Sequence, residues 1–423
     1  MRRALLGAAL ACTAAVGAEP EPNPLSIDSA EALARAAFEM SPALAALDER
    51  LAAARAAALP AAALPGPMLE SSLQNVGVDR LSLGDEDMSM LAVELRQSLP
   101  SARKRTARRG AADAEGALIA AEAASRRREI LAEIRGAWAT LYAIDAERRA
   151  LASGADLLEL LGQATTARYA TGAADLASAV RPRLESARLA ERVIDLEAAR
   201  ALVVARLERL VDAPGGIAVP ELTALASPGP PPAGWSGEAL RTAAPVRAAR
   251  VAIDAAERRA EAARAELRPD LLVGGGAGYR GSLDPVVLLR FGVEWPAWGA
   301  DTLRPRVAAA DAELSAARLD LRAAEAEARA ASTRAQALRD QAARQVERVR
   351  EGSLPLAAAA LDAARAAYVA GRGEFNTVVE NLNAWLEARI LLARREADLY
   401  AAWAEVQALV PSAEDRALLG ETP

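Results

Sequence analysis

Tyr169-Ala170-Thr171-Gly172-Ala173-Ala174-Asp175-Leu176 returns 199 positions later as Tyr368-Val369-Ala370-Gly371-Arg372-Gly373-Glu374-Phe375. Both copies lie in long runs rich in Ala, Leu, Arg and Glu, and each first glycine falls where one helical run ends and another begins. Working outward, Ala112-Asp113-Ala114-Glu115 reappears as Ala310-Asp311-Ala312-Glu313 at an offset of 198, and Ser41-Pro42 is answered by Ala244-Pro245 at 203. Matches at nearly constant offset mark a duplicated unit of about 200 residues, longer than the usual solenoid repeat. The chain reads as two homologous halves.

Composition removes several function classes. With 51 Lys+Arg against 57 Asp+Glu the net charge is −6, so the basic excess expected of a nucleic-acid partner is missing. Lys104 is the sole lysine. Aromatic residues make up only 3%, which with the Ala/Leu/Arg/Glu richness points to long helices meeting along narrow seams. There is no histidine, so the commonest general base and metal ligand is lacking. No catalytic residue, cofactor or metal site is assigned. Cys12 is the only cysteine, which rules out an intrachain disulfide.

Residues 1–18 read as an export signal. Arg2 and Arg3 precede a 13-residue apolar stretch, and Val16-Gly17-Ala18 supplies small residues before Glu19. Cys12 offers the alternative of a lipid-attachment site, but Ala9 stands where such sites usually carry leucine. The apolar stretch is too short to span a bilayer, and no later segment is long and apolar enough. If the chain crosses a membrane, it does so by strands.

Each half is expected to run helix, two strands, long helix, glycine turn, helix. The first repeat (19–212) has a helix over 28–58 ended by Pro60, strands 68–76 and 88–99 around a turn at 79–87, a long helix 101–168 and a return helix 174–212. A Pro/Gly linker, 213–235, separates it from the second repeat (236–410). That repeat has a helix to about 267, strands 270–280 and 286–297 around a turn at 281–285, a long helix 300–368 and a return helix 374–410. A tail, 411–423, completes the chain. Leu91, Val93 and Leu95 alternate with Ala92, Glu94 and Arg96; Leu289, Phe291, Val293 and Trp295 alternate with Arg290, Gly292 and Glu294. This alternation fits strands between lipid and a wet lumen, and equally half-buried soluble strands.

Lengths add a constraint. Residues 101–169 and 300–368 are runs of 69 residues, about 100 Å each if helical. Segments 174–212 and 236–267 total 71 residues, and 374–410 with 28–58 total 68. Each descending rod is therefore expected to be matched by two ascending rods end to end, 174–212 with 236–267 and 374–410 with 28–58. Ser353-Leu354-Pro355 interrupts the second long run, where a kink or fresh helix start is expected. Four strands cannot close a transmembrane barrel, so membrane-spanning strands would require several copies sharing one barrel.

The duplicated half, the Tyr-x-x-Gly-x-x-acid-apolar turn, the Pro-ended helix into paired strands and the export signal resemble the outer-membrane efflux protein (TolC) family. Leu354-Pro355 upstream of Tyr368 is more like its heavy-metal-efflux, CzcC-like branch. The resemblance covers 19 to about 410. It implies a mainly helical fold: duplicated long-helix hairpins forming an α-barrel, with four strands per chain in a shared β-barrel. It implies a homotrimer in the outer membrane of a Gram-negative bacterium, with a large periplasmic part, docked with a periplasmic adaptor (membrane fusion) protein and an inner-membrane RND-type pump. The duct itself would be passive. The alternative is a soluble periplasmic helical scaffold or adaptor.

The resemblance also places candidate residues. The tip turns are Tyr169 with Gly172 and Tyr368 with Gly371. An acidic residue nine positions past the second turn glycine would face the pore mouth, which here is Glu380; its first-half equivalent, Arg181, departs from an all-acidic arrangement. A trimer would set three Glu380 carboxylates and three Arg181 guanidinium groups at similar height, where they could pair, the plain alternative being that Glu380 solvates a helix face. Asp175 and Glu374 would add an acidic ring nearer the tip. Trp295 and Trp298 are candidate membrane-interface aromatics, or plain packing at a strand–helix junction.

Three other features have plain readings. Gly276-Ala277-Gly278-Tyr279-Arg280-Gly281 matches a dinucleotide fingerprint, but the segment after it, from Ser282 through Val287, reads as a turn into another strand where the fingerprint needs a helix. Met68, Met88 and Met90 read as apolar surface rather than a soft-metal site. The arginine clusters 103–109 and 126–128 read as solvated faces or inter-helix pairs.

Overall fold

The computed structural model describes residues 24–421 apart from 78–82, 84–85, 173–174, 214, 227–228, 230, 232–233 and 297–299. The expected export signal with Cys12, most of the first hairpin turn and Trp298 lie outside the described residues.

Proline placement sets the helix boundaries of the shorter rods. Helices α1 (Ala30–Met40) and α2 (Pro42–Ala61) replace the single helix expected over 28–58. Pro42 opens α2, and a residue before proline is driven out of the helical region, so Ser41 is extended with ψ 119°. The second half breaks in the same place. Helices α5 (Trp235–Thr242) and α6 (Ala244–Ala265) meet at Ala243, whose ψ is 134°.

Helix α3 (Ala102–Ala170) contains no proline and runs unbroken for 69 residues, about 100 Å. Its N-cap Ser101 accepts from the Lys104 amide at 3.3 Å. The second long run breaks where the sequence suggests. Helix α7 (Ala300–Arg348) passes through a π-helical turn, Val349–Ser353, into α8 (Leu354–Val369). Pro355 has no N–H to give the preceding turn, and the Leu354 amide reaches back five residues to the Val349 carbonyl. The return helices are α4 (Leu176–Val211) and α9 (Phe375–Leu409).

The lateral order of the helices corrects one expectation. Helix α3 is flanked at its strand end by α2 and α6 and at its turn end by α4 and α9; α6 and α9 both lie between α3 and the α7–α8 rod. Trp235 and Ala239 of α5 pack against Val406 and Val410 at the end of α9. Leu207, Leu210 and Val211 of α4 pack with Leu33 and Ala37 of α1. So α4 continues into α1 and α2, and α9 into α5 and α6. The stacked partners are the reverse of those expected, because the linker carries the chain from one flank of α3 to the other. The result is an open arc of helices with α2 and α4 on one edge and α7 and α8 on the other.

The linker is not featureless. Strand β1 (Leu25–Ser26) pairs in parallel with β4 (Ile217–Ala218), and Leu222 and Val219 join the main core beside Trp138 and Tyr142. Nor is the tail free. Helix α10 (Ala413–Leu419) presents Asp415 to the buried Arg135 with two bonds of 2.6 and 2.9 Å, and Arg135 stacks on Trp403. Glu421 takes two bonds from the buried Arg128, at 2.7 and 2.5 Å. A side chain of the cluster 126–128, read as solvated or inter-helical, thus holds the C-terminus to α3.

Strands β2 (Met68–Gln74), β3 (Met90–Leu99), β5 (Asp270–Arg280) and β6 (Leu283–Glu294) form one antiparallel sheet in the order β2-β3-β5-β6. The last strand begins three residues earlier than expected. The chain reverses at Gly281, with φ +62°, and a register shift between Gly278 and Arg280 accommodates Pro285 on this edge strand. Strands β2 and β6 leave both edges of the sheet unpaired.

Candidate functional site

Side-chain alternation makes the sheet two-faced. Leu91, Val93, Leu95, Leu271, Val287, Leu289, Phe291 and Val293 are all exposed on one face. On the other, Met90, Ala92 and Glu94 of β3 are buried. Glu94 meets Arg290 at 3.1 Å and Arg96 at 3.4 Å, and Arg96 meets Glu70 at 2.7 Å. Strand β5 lies between Glu94 and Arg290. The pair closes over it because β5 is glycine there; a Cβ on Gly276 would sit 2.2 Å from the Val93 carbonyl oxygen. The Gly276–Gly281 pattern is therefore a close strand approach leading into a hairpin. Charge is folded against the backbone and apolar side chains stand bare, the reverse of a water-soluble sheet. Among the described residues no helix is long and apolar enough to cross a membrane.

The methionines do not gather. Met68 and Met88 are exposed, whereas Met90 is buried, its sulfur in the space a Cβ on Gly278 would need. Among the described residues no group of three metal-ligating side chains occurs. Trp295 stands just past β6 on the apolar face, 71% exposed.

At the far end of the helices the two glycine turns share one backbone geometry. Gly172 has φ +75° and Gly371 φ +72°, and each amide bonds back three residues, to the Tyr169 carbonyl at 2.9 Å and the Tyr368 carbonyl at 3.0 Å. Arg372 N–H adds the six-residue bond to Ala367, completing a Schellman cap. Left-handed angles at this position are cheap only for glycine. The side chains differ. Tyr368 is buried edge-on to Phe375, shares a hydrogen bond with Thr165 at 3.0 Å and lies under the Arg168 guanidinium. Tyr169 is exposed. Thr165 and Arg168 thus fasten the end of α3 to the second turn, a role no spacing in the sequence signals.

The four mouth candidates are all exposed, and the chain does not bring them together. Asp175 caps α4, accepting from the Ser178 amide at 2.9 Å, and this contact with Ser178 holds its carboxyl below the ordinary carboxylate range. Glu374 is the N-cap residue of α9 but makes no side-chain cap bond. Arg181 is on α4 and Glu380 on α9, and no ion pair joins them among the described residues. The ties between rods sit higher. Glu147 of α3 is buried and bridges Arg192 of α4 at 2.6 Å and Arg394 of α9 at 2.7 Å. Asp145 accepts from Arg200 and from the Leu222 amide, both at 2.9 Å. Tyr142 donates to Glu396 at 2.5 Å, and burial raises its pKa.

No protein-family profile matches the chain. No curated protein matches it in sequence. Solved structures do match in fold. The outer membrane protein VceC from Vibrio cholerae aligns over 90% of this chain and 95% of its own, with a TM-score of 0.73 and 19% identity. CusC, described in terms of folding and transmembrane channel formation, aligns over 91% and 93% with a TM-score of 0.75 and 15% identity. The open state of the MtrE outer membrane channel of Neisseria gonorrhoeae aligns over 89% and 88% with a TM-score of 0.65 and 19% identity. At these identities the likeness is one of fold: duplicated long-helix hairpins with a small four-stranded sheet, end to end.

Proposed function

We propose that the chain is the outer-membrane exit duct of a tripartite efflux system, a passive homotrimeric conduit rather than an enzyme. The observation that carries this reading is the open sheet, with apolar side chains exposed on one face and Glu70, Glu94, Arg96 and Arg290 paired on the other. Strands of 10 to 12 residues in β3, β5 and β6 have the length that crosses a bilayer at a tilt. Two free edges in lipid would leave backbone groups unsatisfied, and joining copies edge to edge removes them. Three copies supply twelve strands, above the minimum of about eight. The arc of helices would close in the same operation, α4 with its exposed Leu176, Val180, Leu184, Ile194 and Leu202 meeting the α7–α8 edge of the next copy, where Leu356 and Val369 are bare. The fold shared with outer-membrane channels supports the location.

In this reading residues 1–18 direct export and the two repeats form the tunnel. Asp175, Arg181, Glu374 and Glu380 line its mouth, and Trp295 marks the membrane boundary. A periplasmic adaptor and an inner-membrane RND-type pump are the partners, with energy supplied by the pump. Heavy metals or small toxic compounds are the proposed cargo, a reading that rests on the resemblance of Leu354-Pro355, upstream of Tyr368, to the heavy-metal-efflux branch. Membrane fractionation followed by planar-bilayer recording tests the reading. The duct requires a detergent-dependent oligomer with a small cation-selective conductance, and a larger open level in Glu380→Ala. A soluble monomer would point to the periplasmic scaffold instead.

A further inference from the structure

Where the strands give way to helices, α3 and α6 diverge and leave a cleft of about 610 Å³. Four arginines line it: Arg103 from the first turn of α3, and Arg258, Arg264 and Arg268 from α6 and the residues just past it. Arg258 is paired with Glu261 at 3.2 Å and Arg264 with Asp311. Arg103 and Arg268, both exposed at the cleft, have no acidic partner among the described residues. The cleft's remaining carboxylate, Glu261, is already engaged. Two of the arginines that line the cleft are therefore without a carboxylate partner.

The position of the cleft says what would answer it. Asp270 shares the side of Gly274 and Gly276 in β5, the charged face of the sheet, and Lys104 reaches it at 2.8 Å with Arg108 and Glu266 alongside. Glu266 pairs with Lys104 and Arg108 while Arg268 lines the cleft, so the cleft opens on the other flank, three residues before Leu271 begins the bare apolar face. Strand pairing of Asp270 with Glu294 puts the exposed Trp295 level with Pro269, beside Arg268. A tryptophan at the end of an apolar band with arginines directly beyond it is the arrangement of a membrane–water boundary. The cleft also lies within one copy, away from the α2 and α7 edges where copies would meet.

We propose that this cleft binds the phosphate of an anionic phospholipid headgroup from the periplasmic leaflet, with its acyl chains lying along the apolar face of β5 and β6. Planar guanidinium groups grip phosphate oxygens in pairs, and an anionic lipid neutralises both unpaired arginines at once. The proposal rests on the sheet spanning the membrane.

The test is native mass spectrometry of the detergent-extracted oligomer offered equal phosphatidylglycerol and phosphatidylcholine. Phosphatidylglycerol is retained preferentially, Arg103→Ala and Arg268→Ala each reduce its retention about fivefold, and the oligomer stays intact. Glu261→Gln combined with Asp254→Asn removes both carboxylate partners of Arg258 and raises retention. Arg183→Ala with Arg365→Ala, exposed arginines toward the other end of the helices, leaves retention unchanged. Equal retention of the two lipids, or indifference to Arg103 and Arg268, overturns the site. Displacement of phosphatidylglycerol by millimolar inorganic phosphate assigns the cleft to free phosphate and overturns the lipid. Failure of the underlying duct reading looks different: the chain stays in solution without detergent before any lipid is added, and the lipid site falls with it.

Discussion

The two glycine turns share a backbone and differ in almost everything else. Phe375 is 4% exposed and its first-half counterpart Leu176 is 60%; Val379 is 4% and Val180 51%; Tyr368 is 5% and Tyr169 45%. The duplication therefore conserves the reversal of the chain and not its surroundings. The reason is lateral position: α9 is held between α3 and the α7–α8 rod, while among the described residues α4 packs along α3 with no further long rod over its exposed stripe. One half is the middle of an arc and the other is its edge. An edge that keeps its apolar residues is an edge made to be covered.

The largest effect expected of this difference is at the first position of the return helices. Phe375→Ala should cost about 3–5 kcal/mol in denaturant unfolding, as for a buried aromatic truncated in a core. In the separated chain, Leu176→Ala should shift the same transition by no more than about 0.5 kcal/mol. Leu184→Asp on the exposed stripe of α4 should instead lower the fraction of oligomer on a semi-native gel. If Leu184→Asp leaves assembly untouched, α4 is not a covered edge.

Next come the turns themselves, where the two halves should behave alike. Valine at Gly172 or Gly371 meets no neighbouring atom but must adopt left-handed angles, which costs about 1–2 kcal/mol at either site in thermal unfolding. Spacing alone leaves Gly373 free to accept a methyl group. The structure does not, because a Cβ there would lie 3.0 Å from the Tyr368 nitrogen and 3.1 Å from the Ala367 carbonyl carbon. Gly373→Ala should therefore cost about 1 kcal/mol, close to Gly371→Val rather than far below it.

A smaller asymmetry sits in the tyrosines. Tyr368→Phe removes the Thr165 hydrogen bond and should lower stability by about 1 kcal/mol, whereas Tyr169→Phe should be silent in the same melt. The smallest is the pH response of the caps. Asp175 has its pKa lowered by its bonds to Ser178, so its contribution is complete above the ordinary carboxylate pKa and is lost as pH falls through the depressed value. Hydrogen exchange at the Ser178 amide should accelerate below that point, with no matching change in the first turn of α9. Equal acceleration in both helices would remove the distinction between the caps.

Much of this architecture is legible in the chain because long helices and two-faced strands are written in local patterns. The Tyr-x-x-Gly turns, the strand alternation around Val93 and Phe291, and the interruption at Pro355 depend only on neighbouring residues. The features that escape a sequence reading depend on distance. Whether α4 continues into α6 or into α1 and α2 along the rod is fixed by how a proline-rich linker crosses α3, and helix length is the same either way. Breaks at Ser41 and Ala243 are signalled by the prolines after them, yet their Ala-rich flanks read straight through. Arg135 and Arg128 look like surface charges until Asp415 and Glu421, hundreds of residues later, fold back onto them. The mouth residues are placed by spacing alone, and the fold of one chain sets them on separate rods.

The π-helical turn at Val349–Ser353 has a mechanical consequence. Helix α3 has neither a proline nor a π-helical turn, so its hydrogen-bond ladder is unbroken over its full length. The neighbouring rod has a fulcrum, and α8 beyond it is a lever arm of 16 residues, about 24 Å. A bend of about 10° at that fulcrum would carry Gly371 roughly 4 Å sideways, given the rise of a regular helix, once the Thr165 and Arg168 contacts that fasten Tyr368 to α3 were released. In the ring proposed above for three copies, three such arms would face the same opening, and a small angle at Val349 would be magnified at the turn ends.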